Sequence, residues 1–126
     1  MFVGYGTIIL VAGFALGSAL GIARIRVPDA RALATAHVET LLQAAITLGL
    51  GFAVGAVGFE SAAANLGAWL VVGGAALQAT GATVNWLTAT VDQFAERSVG
   101  LYLNSTGTVL IWPGVVVTAF GILSRL

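Results

Sequence analysis

The chain alternates between long apolar stretches and short polar or charged gaps. Four apolar stretches lie at about residues 2–25, 29–59, 61–91 and 104–123, and each reaches the roughly 20 residues that a helix needs to cross a bilayer. The gaps between them are too short to hold a soluble domain. The pattern therefore predicts an all-α integral membrane protein, a single domain in which four transmembrane helices form a bundle.

Charged and helix-breaking residues mark the ends of these stretches. Arg24, Arg26 and Pro28 close the first stretch, and Asp29 stands where an N-cap residue would open the second. Because arginines gather in this first gap, the positive-inside rule predicts that the first loop is cytoplasmic. The later boundaries are marked by Glu60, Asp92, Asn104 and Arg125.

Composition excludes several classes of protein. Only 8% of the residues are charged and 59% are hydrophobic, whereas soluble proteins carry about 25% charged residues. The net charge is zero and lysine is absent, so no basic patch suggests nucleic acid as a partner. The absence of cysteine excludes disulfides and thiolate-bound metals. We expect a multi-pass protein in contact with membrane lipid, in a bacterial inner membrane, whose first stretch is a retained helix rather than a signal peptide.

Glycines recur every four residues in two of the predicted helices. Gly13, Gly17 and Gly21 share one face of the first helix, and Gly51 and Gly55 share a face of the second. In lipid, such faces let two helix backbones approach closely. We expect ordinary packing within the bundle rather than a dedicated dimer motif. Pro113, beside Gly114, is expected to bend the fourth helix.

His37 is the only histidine and the best indication of chemistry. A neutral imidazole is a natural axial ligand of haem iron, and a polar side chain within a bilayer needs a reason to be there. The alternative is a histidine that only packs and is satisfied by a neighbouring helix.

Other polar residues also lie within the apolar stretches. Glu39 and Gln43 are four residues apart on the second helix, and Gln78 and Asn85 share a stripe of the third with Thr83 alongside. Because an unsatisfied amide facing lipid is costly, we expect these side chains to line an interior or a cleft between subunits. They could equally serve as hydrogen bonds between helices.

Three short motifs fall at a specific spacing. A Val-Pro turn occupies residues 27–28, an Ala-His pair at 36–37 is followed six residues later by the amide of Gln43, and a Leu-Gly pair occupies residues 66–67. These motifs, the chain length and the four-span layout resemble the styrene oxide isomerase family of small four-helix membrane enzymes. The family has Asn at the position of Gln43 and a tyrosine in its third span, where Thr83 is the hydroxyl available in this chain.

The resemblance implies a homotrimer that binds haem b between subunits, with His37 as the axial ligand of the iron. Ferric iron would act as a Lewis acid on a small apolar epoxide and give an aldehyde, with Gln43 and Thr83 as the catalytic side chains. From their charge and position, Arg24, Arg26 and Arg31 are expected to pair with the haem propionates.

Two further functions fit the sequence. A non-enzymatic accessory or scaffold subunit of a larger membrane complex would explain the small size, the minimal loops and the glycine-lined faces. A small channel or transporter would use Glu39, Gln78 and Asn85, although the internal symmetry typical of transporters is missing.

Overall fold

A computed structural model of the chain describes residues 2–26, 31–59, 61–90 and 97–126; for residue 3 and residues 20–26 it describes the backbone alone. These residues form four α-helices: α1 (Phe2–Arg26), α2 (Arg31–Ala56), α3 (Ala62–Leu87) and α4 (Val99–Leu123). Helices α2, α3 and α4 are long and apolar enough to cross a membrane, and the apolar stretch found in α1, Gly4–Ala19, is shorter. The described chain is therefore all-helical, as the apolar pattern predicts.

Two serines set the starts of α3 and α4. The Oγ atoms of Ser61 and Ser98 accept hydrogen bonds from the N–H groups of Ala64 and Leu101, at 3.1 and 3.0 Å. These are N-caps, which satisfy donors that the first helical turn leaves without a partner. Because Ser98 caps α4, the helix begins at Val99 rather than near residue 104, and Tyr102, Asn104 and Ser105 lie inside it.

A glycine ends α2. Gly58 has a φ of +61°, and the N–H of Phe59 donates to the carbonyl of Val54 at 3.1 Å. Together with a bond from Gly58 N–H to the Gly55 carbonyl, this is a Schellman motif, which stops the helix at Ala56 rather than at residue 59. Several expected boundary residues lie outside the described residues: Pro28, Asp29, Glu60 and Asp92.

The helices pack in chain order as a staggered antiparallel row. Helices α1 and α2 form one closely packed pair, α3 and α4 form another, and a smaller contact between α2 and α3 joins the two pairs. Across the described residues α1 and α4 do not contact each other. A closed four-helix bundle would bring the first and last helices together. The row instead leaves α1 and α4 as its two edges.

Glycines on a seven-residue spacing form the contact between α3 and α4. A Cβ atom added to Gly74 would lie 2.6 Å from the carbonyl oxygen of Gly107, and one added to Gly107 would lie 2.6 Å from that of Gly74. A seven-residue repeat keeps such positions on the shared face of two supercoiled helices. Backbone thus packs on backbone along this seam, which pairs Gly67 with Gly114, Gly74 with Gly107, and Gly81 with Gly100.

The contact between α1 and α2 places large side chains over glycines. Leu48 lies over Gly6, and Leu41 lies over Gly13, where an added Cβ would be 2.6 Å from Leu41 Cδ2. The predicted packing of Gly13 and Gly17 within the chain is confirmed. No atom of the described residues lies within 4 Å of a Cβ position at Gly55, so the close contact expected there is not found in this part of the chain.

Small residues fill much of the inside of the row, and most of the large aromatic side chains lie outside. Ala36, Ala44 and Ala75 are fully buried. This distribution is the reverse of that in a water-soluble domain and suits a lipid surround. Side chains that are more than half exposed include Phe14, Phe52, Trp69, Trp112 and Phe120. Helix α4 continues through Pro113 without interruption.

Candidate functional site

The imidazole of His37 is held against α1. Its Nδ1 atom lies 2.8 Å from the carbonyl oxygen of Gly13. Because a carbonyl oxygen only accepts hydrogen bonds, Nδ1 must carry the proton, and the lone pair of a neutral ring is then on Nε2. Among the described residues, none is hydrogen-bonded to Nε2. A basic nitrogen of this kind is what a metal ion would require of the ring.

A missing side chain makes the space for this ring. A Cβ atom at Gly17 would lie 2.6 Å from His37 Cε1 and 3.2 Å from Nε2. His37 is half-buried, and it continues the series in which Leu48 and Leu41 cover glycines of α1. The same geometry therefore fits a packing residue and a pre-oriented ligand.

The charged residues predicted near the site lie at the same end of the helices. Arg31 is exposed and is the first residue of α2, and Arg24 and Arg26 lie in the last turns of α1, where their side chains are outside the described part of the structure. Glu39 is half-buried, two residues after His37. The predicted propionate partners are thus close to His37 along the helices, but no arginine contact with His37 is described.

An amide side chain joins three helices. Gln78 on α3 accepts a hydrogen bond from Gln43 Nε2 on α2, and its own Nε2 donates to Thr108 Oγ1 on α4 at 2.7 Å. Thr108 in turn donates to the backbone carbonyl of Asn104 at 2.9 Å. Gln43 is 93% buried, and its Oε1 has no partner. These residues form an amide clamp (Gln43, Gln78 and Thr108) at the middle of the row.

Asparagines cover glycines of the opposite helix where α3 meets α4. Asn85 is buried and its Oδ1 accepts a hydrogen bond from Ser98 Oγ at 2.8 Å. The same Oδ1 packs against Gly100, where it would collide with an added Cβ atom. The Oδ1 of Asn104 packs against Gly81 in the same way. Two residues of the polar stripe predicted on α3, Gln78 and Asn85, thus form hydrogen bonds between helices.

Among the described residues of one chain, no hydrogen bond joins His37, Gln43 and Thr83. Residues six apart on a helix lie about 120° apart around its axis, so His37 faces α1 while Gln43 faces α3. Thr83 donates its hydroxyl to the carbonyl of Ala79 in its own helix, at 2.8 Å. One of the two N–H groups of the Gln43 amide is already donated to Gln78 within the clamp.

Sequence reasoning missed Thr108, Ser98 and Asn104. The polar residues near the start of α4 were expected to lead into the helix, so they were not matched with α3. The seven-residue glycine repeat was the available signal, because it aligns α3 with α4 and brings Gln78 beside Thr108.

The described residues contain no group of three or more His, Cys, Asp or Glu side chains that could hold a bare metal ion. Haem differs because the porphyrin already holds its iron, so one axial side chain suffices. Comparison with known proteins adds no constraint: no family model, curated protein or solved structure matches this chain.

Proposed function

We propose that the chain is a four-span membrane protein that binds haem b through His37 and isomerises small apolar epoxides to aldehydes. The proposal places it in a bacterial inner membrane as a homo-oligomer, a homotrimer by its resemblance to styrene oxide isomerase. The observation that carries the proposal is the hydrogen bond between His37 Nδ1 and the Gly13 carbonyl.

That hydrogen bond is the arrangement that metal-binding histidines use. Such a residue usually donates one ring N–H to a carbonyl or carboxylate, which fixes the orientation of the ring and makes the other nitrogen more basic. Here the donor is Nδ1, the acceptor is a backbone carbonyl that cannot move away from its helix, and Nε2 is left for iron. The residues present therefore fit an axial ligand.

The row of helices favours a site between subunits. His37 lies in the seam between α1 and α2. Helix α1 is one edge of the row, and among the described residues it does not contact α4. A second copy packed along this edge would enclose the ring and exclude water. Arg31, with Arg24 and Arg26, lies at the end of the helices where propionates could reach water.

When bound, haem b would supply a Lewis acid for the epoxide oxygen. The isomerisation itself is balanced: one ring C–O bond breaks, a hydride moves from the carbon that keeps the oxygen to the carbon that loses it, and a carbonyl forms. No oxidant, reductant or water is consumed. The role of the chain is then to orient His37 and provide a dry apolar pocket. Gln43 would contribute the second N–H of its amide, since one N–H is donated to Gln78.

The test is the visible spectrum of the protein purified from membranes with haem supplied, before and after reduction with dithionite. We expect a Soret band that shifts on reduction and disappears in His37→Ala. Leu41→Ala is the matched control, because Leu41 packs over Gly13 in the same seam but has no ligand atom. A colourless wild-type protein, or a band that survives His37→Ala, would overturn the proposal. An epoxide assay on the coloured protein then tests the reaction.

A second candidate function is a scaffold subunit, and one observation favours it. His37 occupies the third place in a series with Leu48 and Leu41, and the amides of α2 and α3 are bonded to each other across the row. All of these contacts hold helices together. This candidate predicts that His37→Leu leaves co-purifying membrane proteins in place and changes no spectrum. Loss of pigment in the same variant would decide for the haem protein.

A further inference from the structure

An apolar groove lies at the end of the helices opposite the His37 site. It has a volume of about 390 Å³ and runs between Phe59, the first turn of α3 and the last turns of α4. Val117 and Phe120 supply its wall on α4, and Ala63 supplies the wall on α3. The hydroxyl of Ser124, which also lines it, donates to the Gly121 carbonyl at 2.8 Å, so the wall is effectively apolar.

The groove is built by contacts that fix Phe59. The aromatic ring packs against Gly121 of α4, and the Schellman motif at Gly58 fixes the backbone of Phe59. A side chain at Gly121 would displace the ring. The ring is thereby held as one side of the groove rather than folded into it.

The guanidinium group of Arg125 lies beside the groove, next to Phe59. The Arg125 guanidinium carbon lies 5.8 Å from the centroid of the Phe59 ring, and Nη1 donates to the carbonyl of Gly58 at 3.2 Å. These contacts hold the guanidinium beside the groove, yet an arginine has five N–H donors and this one is exposed. Within the described residues only Nη1 is bonded, which leaves the other donors for an anion.

The N-terminus of α3 adds further donors beside the groove, which Ala63 lines. Ser61 Oγ accepts the N–H of Ala64, and the N–H groups of Ala62 and Ala63 have no helical carbonyl to bond because they are in the first turn. Backbone N–H groups at a helix start attract phosphate. Ala63 also lines the groove, so these amides and the apolar wall are adjacent.

We propose that the groove binds an anionic phospholipid, with one acyl chain along Phe59 and Phe120 and the phosphate between Arg125 and the first turn of α3. The apolar groove matches the acyl chain of such a molecule. The Arg125 guanidinium and the N–H groups at the start of α3 match its phosphate. The site is separate from the proposed haem site, since from residue 37 to residue 56 the axis of α2 runs roughly 28 Å.

Native mass spectrometry of the delipidated protein, titrated with phosphatidylglycerol, tests the proposal. We expect a bound-lipid peak whose affinity falls about tenfold in Arg125→Gln, because a charge-assisted hydrogen bond is lost. Ala63→Trp should reduce binding similarly by filling the groove. The matched controls are Arg97→Gln, an exposed arginine at the other end of the row, and Ala76→Trp, at an exposed alanine of α3 that lies outside both the groove and the first turn of the helix.

Each outcome of these binding measurements either supports or contradicts the lipid site. Retained affinity in Arg125→Gln would overturn the proposal, and this exposed position carries little risk of misfolding. Loss in Ala63→Trp together with retention in Arg125→Gln would mean that the groove takes an uncharged apolar molecule, which also contradicts a phospholipid. Equal affinity for phosphatidylcholine and phosphatidylglycerol would exclude the anionic preference. His37→Ala should bind phosphatidylglycerol like the wild type, which keeps this site distinct from haem binding.

Discussion

Gly17 of α1 and His37 of α2 are in such close contact that a methyl group added to Gly17 would collide with the imidazole ring. A Cβ atom at Gly17 would lie 2.6 Å from Cε1 and 3.0 Å from Nδ1 of the imidazole. Gly17→Ala should therefore push the ring away from the Gly13 carbonyl and destabilise the α1–α2 contact by about 1–3 kcal/mol. In the proposed haem protein, it should also lower the haem content, measured as Soret absorbance per protein.

Gly6→Ala provides the control for this prediction. Its added methyl would meet the flexible end of Leu48, at 2.9 Å from Cδ2, in the same α1–α2 seam, and Gly6 makes no contact with the imidazole or with its Gly13 acceptor. The packing cost should be comparable while the haem content stays higher than in Gly17→Ala. Equal haem loss in both variants would show that general packing, rather than the position of the ring, controls haem binding.

Removal of the central residue of the amide clamp should destabilise the helix row. Gln78→Leu leaves the buried amide of Gln43 without its partner and removes the bond to Thr108. A buried polar group left unpaired costs about 1–3 kcal/mol, so we expect a loss of that size in the free energy of unfolding. The measurement is the loss of helical circular dichroism in mixed micelles titrated with dodecyl sulfate.

A double-mutant cycle separates the clamp from simple packing. In Gln43→Leu/Gln78→Leu neither amide is left unpaired, so the loss should be smaller than the sum of the single losses by at least roughly 0.6 kcal/mol. Thr80→Val is a control on the same helix, since the Thr80 hydroxyl bonds only to the Ala76 carbonyl. Strict additivity of the two glutamine changes would contradict a functional clamp.

The fold class followed from the sequence because membrane spans are recognised by length and apolarity alone. The helix ends were predicted less well, since they depend on short-range bonds at Ser98 and Gly58 rather than on hydropathy. The packing faces were harder still. Helices that are apolar all round have no hydrophobic stripe to reveal which side faces a neighbour. Only the spacing of small residues carried that information, as Gly13 and Gly17 illustrate.

The candidate site was predictable as a list of residues but not as an arrangement. His37 and Gln43 are both polar residues of α2, and their spacing suggested one site. Which helix each side chain faces depends on how α1 and α3 are aligned with α2, and no pattern within α2 encodes that alignment. The partner of Gln43 proved to be Gln78, and the partner of His37 proved to be a backbone carbonyl.

Adjacent glycines on α3 should respond oppositely to the same substitution. A Cβ atom at Gly74 would lie 2.6 Å from the Gly107 carbonyl oxygen and 3.0 Å from the backbone nitrogen of Ile111, so Gly74→Ala must push α3 and α4 apart. We expect a loss of about 2 kcal/mol in the free energy of unfolding. Gly73 has nothing within 4 Å of its Cβ position, so Gly73→Ala should gain about 0.5–1 kcal/mol from helix propensity. Losses of similar size in both variants would exclude backbone packing at the seam.

The end of α3 is held by an alanine in a conformation that favours glycine. Ala89 has a φ of +53°, its N–H donates to the Trp86 carbonyl at 3.1 Å, and Thr90 N–H donates to the Asn85 carbonyl at 3.0 Å. This is a Schellman motif like the one at Gly58, but with a Cβ atom in the left-handed region, which costs roughly 1–2 kcal/mol. Ala89→Gly should therefore raise the free energy of unfolding by about 1 kcal/mol, whereas Ala76→Gly, at an exposed position within α3, should lower it by about 1 kcal/mol. Dodecyl sulfate titrations of the two variants measure both signs, and a loss of stability in Ala89→Gly would mean that the left-handed turn carries no strain.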